Sequence, residues 1–297
     1  MGQATGITRT HREEVVFTSG GQPCAGWWYP PVGAARVAPA VVMAHGLSGT
    51  RRDCLGRFAE RFAGEGIGVL SFDHRGFGDS GGPPDLFDPR RQLADWRAGI
   101  AFTRSRPGID PDRVATFGSS IGGGNALAAA AGDPRIAAAV SQVPFLDLLS
   151  QARRSPLRVT AGMLLVAARN GHLPAVGQPD EAAFINAPGA EAGWRAVVAR
   201  GEDSRWRNRV SARWLLGRPF RPARHARDLH CPWLVCVGEA DRVADPRAAV
   251  RAARRAPLGE LRTYPDVDHF DIYDGPVHER LVAHQVEFLR RHLRPAS

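Results

Sequence analysis

The segment Val114-Ala115-Thr116-Phe117-Gly118-Ser119-Ser120-Ile121-Gly122 decides how this chain is read. A short β-type run leads into Gly-x-Ser-x-Gly, and an alanine-rich helical stretch, Asn125-Ala126-Leu127-Ala128-Ala129-Ala130, follows. A strand that turns at once into a helix crowds the backbone at the corner, so the flanking positions must be nearly free of side chain. The corner residue is Ser120, its hydroxyl turned toward a reactant. Ser119 is not equivalent, because Phe117 rather than a glycine lies two before it. In a chain with 33 glycines among 297 residues the pattern alone says little. Its place between strand and helix says more.

Working outward, the same alternation recurs. Val15–Thr18 and Ala25–Tyr29 read as two strands about the Ser19-Gly20-Gly21 turn. Ala40–Ala44 and Ile67–Phe72 are continuous apolar runs, as expected for strands covered on both faces of a parallel sheet. Leu55, Phe58 and Phe62 mark one helix, and Leu93, Trp96 and Ile100 another. Ile136–Val140 closes the first half. From about Pro144 to Leu229 no buried strand is expected. That segment reads as helical, over Leu157–Ala168 and again where Trp206, Val210 and Trp214 repeat every four residues. Alternation returns with the strand Trp233–Val237, a helix from Pro246, a short strand at Leu261–Tyr264, and a last helix faced by Val282, Val286, Leu289 and Leu293. The pattern predicts an α/β domain with a mostly parallel sheet, built from residues 1–143 and 230–297 and interrupted by a helical cap over 144–229.

Composition narrows the function. With 43% hydrophobic residues the chain can bury a large core. No apolar run approaches the roughly 20 residues that span a bilayer, and Met1–Arg12 contains no apolar leader, so a cytoplasmic protein without membrane attachment is expected. Cys24, Cys54, Cys231 and Cys236 form no C-x-x-C pair and no zinc spacing. The net charge is +9 and every basic side chain is arginine. The arginines are scattered without a nucleic-acid motif, which points to a solvated basic surface and codon usage rather than to a polyanion partner.

A serine hydroxyl becomes a nucleophile when a base takes its proton and a carboxylate orients that base. A nucleophile elbow calls for the chain order Ser, Asp, His. Gly238-Glu239-Ala240-Asp241-Arg242-Val243-Ala244-Asp245 leaves a parallel strand at its carboxyl end, where such sheets carry their sites. Asp241 is the expected acid. Glu239 and Asp245 are less favoured neighbours, and Asp147 is the outside alternative. His269 sits on the loop after the final strand and is the expected base, whereas His278 and His284 belong to the closing helix. The oxyanion of a tetrahedral intermediate needs two donors. The Ile121 N–H follows the nucleophile directly, and Gly46 in His45-Gly46-Leu47-Ser48-Gly49 lets the Leu47 N–H turn inward. His45 is read as a brace for that loop. Gly76-Phe77-Gly78-Asp79-Ser80-Gly81 matches a dinucleotide fingerprint, but Gly82-Pro83-Pro84 follows where a helix would have to start, so no nucleotide cofactor is expected.

Met43-Ala44-His45-Gly46, Phe72-Asp73-His74-Arg75-Gly76-Phe77-Gly78-Asp79-Ser80, the Ser120 elbow, Gly238-Glu239-Ala240-Asp241 and His269 together resemble the α/β-hydrolase superfamily. The likeness runs nearest to bacterial serine esterases and thioesterase-like relatives of the dienelactone hydrolases. It implies an eight-stranded sheet, Ser120 as nucleophile, Asp241 as acid, His269 as base, and Leu47 and Ile121 as oxyanion donors, with neither cofactor nor metal. The implied reaction is hydrolysis of an ester, thioester or related acyl bond on a small-molecule substrate. Acyl transfer, cyclisation and lyase chemistry use the same triad, and a non-catalytic receptor is the remaining alternative. Met163, Leu164, Phe184, Trp194 and Trp206 of the cap are the expected substrate contacts. A homodimer is left open, and nothing in the sequence supports an acidic carrier protein as partner.

Overall fold

A computed structural model describes residues 11–33, 37–53, 55–153 and 155–294. Cys54 and most of the stretch read for a leader lie outside them. The chain opens with a hairpin of β1 (Glu13–Ser19) and β2 (Gln22–Tyr29). Its two-residue loop, Gly20-Gly21, has φ of +51° and +75°, the pair of positive values that matches the twist of the flanking strands. Then come β3 (Ala38–Ala44), α1 (Gly56–Gly64), β4 (Gly68–Phe72), α2 (Pro89–Arg104), β5 (Ile109–Ser119), α3 (Ile121–Ala131) and β6 (Ile136–Gln142). A long segment carries α4 (Leu148–Ala152), α5 (Leu157–Ala168), β7 (His172–Leu173), α6 (Ala190–Ala199) and β8 (Val210–Ser211). The chain ends with β9 (Trp233–Gly238), α7 (Pro246–Ala253), β10 (Gly259–Tyr264) and α8 (Gly275–His292).

Eight strands form one sheet in the order β1-β2-β4-β3-β5-β6-β9-β10. β2 runs antiparallel to both its neighbours, and all other pairings are parallel. Residues alternate between the faces. Trp27, Val41, Met43 and Phe117 pack toward α1 and α8, while Trp28, Val42, Leu70 and Phe72 pack toward α2, α3 and α7. Val41, Val42, Met43 and Ala44 are all fully buried, which is why β3 reads as an unbroken apolar run. Among the described residues no helix is long and apolar enough to cross a membrane.

The segment between β6 and β9 departs from the all-helical expectation. α5 spans Leu157–Ala168 as the pattern predicts, but Trp206, Val210 and Trp214 do not share a helix. Val210 lies in β8, paired with Leu173 of β7, and Trp214 lies in a 3-10 turn, Arg213–Leu216. The Asn208 side chain explains the break. Its Oδ1 accepts from the Val176 N–H at 2.9 Å and its Nδ2 donates to the Val176 carbonyl at 2.8 Å, a tertiary bond pair that pins this stretch to a segment 32 residues earlier. Beyond this, Pro222–Asp228 forms a second 3-10 turn packed on α3 and α7. β6 and β9 are neighbouring parallel strands, so the chain must return to the opposite end of the sheet. This turn makes that return.

Candidate active site

β5 ends at Ser119 and α3 begins at Ile121, so Ser120 alone makes the corner. Its φ of +57° and ψ of −124° are strained for a residue with a side chain, at a typical cost of about 1–3 kcal/mol. The surroundings hold it there. The Ser120 N–H donates to the Gln142 carbonyl at 3.0 Å, and its own carbonyl accepts from Phe145 at 2.9 Å and Gly123 at 3.0 Å. A Cβ at Gly118 would strike the Gly122 carbonyl, and one at Gly122 would lie 2.7 Å from the Ala44 oxygen. The glycines are therefore required by close approach of three backbone segments.

Asp241 and His269 meet. The Asp241 Oδ1 accepts from the Val243 and Ala244 N–H groups, each at 2.8 Å, which fixes the carboxylate on the loop after β9. Its Oδ2 lies 2.7 Å from His269 Nδ1. Both side chains are buried. With Nδ1–H directed at the carboxylate, Nε2 is left as the basic nitrogen of the ring. His269 and Ser120 line one small space with Gly46, Leu47, Trp194 and Tyr273. The other acids are engaged elsewhere. Asp147 caps α4 and pairs with Arg221, Asp245 caps α7, and Glu239 is exposed.

The loop after β3 presses on the elbow. A Cβ at Gly46 would sit 3.5 Å from Ser120 Cβ. Among the described residues the Leu47 N–H has no backbone or side-chain acceptor, and the Ile121 N–H, first in its helix, has none within the helix. Two anchors steady the loop. His45 is fully buried, with Nδ1 2.8 Å from the Gly46 carbonyl and Nε2 accepting from the His74 N–H at 3.1 Å. Burial, aided by His74, lowers its pKa to about 3, so it is a neutral brace. Arg51, 1% exposed, donates its backbone N–H to Asp73 at 2.6 Å, pairs with the same carboxylate through its guanidinium, and reaches Asp79 at 2.8 Å. The Gly76–Gly81 stretch is thereby a loop tied to the β3 loop, and α2 does not start until Pro89.

A cavity of about 220 Å³ ends at Ser120, Leu47 and Ile121. Met163, Leu164 and Phe184 line it, and Trp194 lines the smaller space shared with His269. Trp206 lines neither. Its indole N–H donates to Ser48 Oγ at 2.9 Å and its ring packs edge-on to Trp194, so it braces the β3 loop against the insertion. Sequence reasoning missed Leu148, Leu149 and Trp214 in the cavity wall. It also missed Tyr273, whose hydroxyl lies 2.5 Å from Ser119 Oγ and ties the His269 loop to the elbow. Nothing in the spacing of Tyr273 announces that contact.

The model of the Hydrolase_4 family, serine aminopeptidase S33, matches residues 35–274. The chain belongs to this family of α/β hydrolases. This α/β hydrolase is similar to the quorum-quenching protein AidA of Acinetobacter baumannii, 39% identical over 290 residues that cover 94% of each chain. It is also similar to the polyketide transferase af380 of Aspergillus fumigatus, 27% identical over 95% of this chain and 99% of that one. The crystal structure of the α/β hydrolase GrgF from Penicillium superposes with a TM-score of 0.80 at 24% identity, covering 95% of this chain and 99% of that chain. At that identity the likeness is one of fold.

Proposed function

We propose that this α/β hydrolase cleaves an ester, thioester or related acyl bond of a small molecule through an acyl-serine intermediate. The reading is carried by one juxtaposition: a serine on a strained corner shares a small cavity with a histidine whose far nitrogen is held 2.7 Å from a buried carboxylate. Ser120 Oγ attacks the acyl carbon while His269 Nε2 takes its proton, and Asp241 steadies the resulting imidazolium. The Leu47 and Ile121 N–H groups stabilise the oxyanion. Collapse expels the alcohol or thiol, protonated by His269, and a water attacks the acyl-serine by the same route in reverse. Residues 144–229 act as the cap, with Met163 and Phe184 seating the acyl group and Trp194 closing the space over His269.

Transfer of the acyl group to an acceptor other than water is the second reading. The apolar wall around Ser120 favours it by limiting water, and so does the likeness to a polyketide transferase along nearly the whole chain. A fluorophosphonate probe and a panel of p-nitrophenyl esters, thioesters and lactones test both. The probe should add to Ser120, and Ser120→Ala should abolish labelling and turnover together. Labelling that persists undiminished in Ser120→Ala overturns the proposal.

A further inference from the structure

A second space adjoins the first where the insertion rejoins the core. A cleft of about 360 Å³ opens between the start of α2, the outer side of α3 and residues 214–225. Arg90, Arg218, Arg221 and Arg224 stand around it, all exposed. Against them the cleft holds one carboxylate, Asp88, whose Oδ1 already accepts from the N–H groups of Arg90 and Arg91 as the cap of α2. Asp147, outside the cleft, engages Arg221 at 3.2 Å. Among the described residues Arg90, Arg218 and Arg224 pair with no carboxylate, and the Arg224 Nε turns instead to His225 Nε2 at 3.2 Å. Burial, and after it Arg224, lowers the His225 pKa, so His225 adds a neutral ring to a strongly positive site.

The cleft and the acyl cavity share a wall. Trp214 and Pro219 line both spaces. The Trp214 indole N–H is buried without a hydrogen-bond partner among the described residues. A buried donor left unpaired is destabilising, and this one belongs to a side chain that walls both spaces. The span follows from α3. Asn125 and Ala128 wall the cleft and lie on the helix that Ser120 begins, roughly 7.5 and 12 Å along its axis at a rise of about 1.5 Å per residue. Guanidinium groups match carboxylate and phosphate with paired donors.

We infer that the substrate carries a carboxylate or phosphate, which the cleft of Arg90, Arg218 and Arg224 holds on the order of 10 Å from the scissile carbonyl. The inference rests on the acyl-serine reading above and names the substrate class for it. The anion rides either on the far end of the acyl chain or on the leaving group. Two matched pairs separate these: an alkanoyl p-nitrophenyl ester against the mono-ester of the dicarboxylic acid of equal length, and an acyl pantetheine thioester against its 4′-phosphopantetheine counterpart.

The wild-type kcat/KM should favour the charged member of one pair by about tenfold or more, and the responding pair identifies where the anion sits. For the dicarboxylates the preference should grow from short chains to those long enough to span the distance. Arg218→Gln with Arg224→Gln should bring the ratio close to one, and high salt should erode it in the wild type, since exposed charges are screened. Calorimetric titration of Ser120→Ala protein with the same four compounds reads the preference without turnover. Failure of the acyl chemistry, seen as absent probe labelling, is therefore distinct from failure of the cleft. Equal handling of both members of both pairs, or a preference unmoved in the double variant, overturns the inference.

Discussion

At the scale of single residues, the site depends on where one proton is held. The Asp241 carboxylate is fixed by two backbone donors on one oxygen and meets His269 Nδ1 with the other. Asp241→Asn keeps the shape but offers that ring an amide, which lets His269 turn or adopt the tautomer that cannot accept from Ser120. The expected result is a loss of roughly 10³–10⁴-fold in kcat with modest change in KM, as for other triads. Asp147→Asn should leave kcat within about twofold, because Asp147 caps α4 and holds Arg221. Steady-state kinetics on one activated ester settles the comparison, and reversal of the two effects would reassign the acid. Asp241 and His269, which the fold brings to 2.7 Å, could both be picked out from their positions in the sequence. Asp241 follows β9, a fully buried apolar run whose end is easily read, whereas His269 follows β10, a largely exposed edge strand, and was placed by chain order after the last strand.

At the scale of elements, α5 and the stretch before α6 wall the cavity that ends at Ser120. Met163, Leu164 and Phe184 line it together with Leu148 and Trp214, and Phe184 stacks on Trp214 with ring centroids 5.6 Å apart. Phe184→Ala and Met163→Ala remove wall rather than machinery. Each should raise kcat/KM for long acyl esters relative to short ones by about three- to tenfold, at or below what one well-packed methylene of contact is worth. Labelling of Ser120 should survive. An unchanged chain-length profile in both variants would return these side chains to ordinary packing.

The insertion was also where the sequence was least legible. A four-residue apolar repeat predicts helix from Trp206 to Trp214, yet the three residues face separate partners: Trp206 packs on Trp194, Val210 pairs with Leu173, and Trp214 stacks on Phe184. Periodicity reports burial, and here burial comes from three neighbours rather than one helix face. The bracket that Asn208 forms around Val176 is a tertiary contact, invisible to any window of local sequence. α5, by contrast, is continuous and apolar, and its bounds were readable from the pattern alone.

At the scale of the whole molecule, His45 links the loop after β3 to acid stability. Its pKa is about 3 in the fold and about 6.5 when the chain is unfolded. The folded form is thus the poorer proton binder. Above pH 6.5 the imidazole is neutral in both states and contributes no pH dependence. As pH falls from about 6.5 toward 3 the unfolded chain takes up a proton that the fold excludes, and stability drops, by on the order of 5 kcal/mol once pH reaches 3. Denaturant unfolding at a series of pH values should therefore show a steep loss over this window. His45→Asn, although less stable at neutral pH, should give a flatter curve between pH 6.5 and 3. Parallel curves for the two proteins would place the acid sensitivity elsewhere.

The return leg from the insertion changes what counts as a detachable part. Pro222–Asp228 lies against α3 and α7 and carries the chain between two strands that stand side by side. It belongs mechanically to the scaffold even though sequence alternation assigns it to the cap. The portion that evolution or an engineer could exchange without rebuilding the sheet is therefore shorter than the interruption itself and stops near Leu216. A graft that respects that junction would transplant selectivity as a cassette, whereas one that runs on to Leu229 would remove the connection from which β9 and β10 hang.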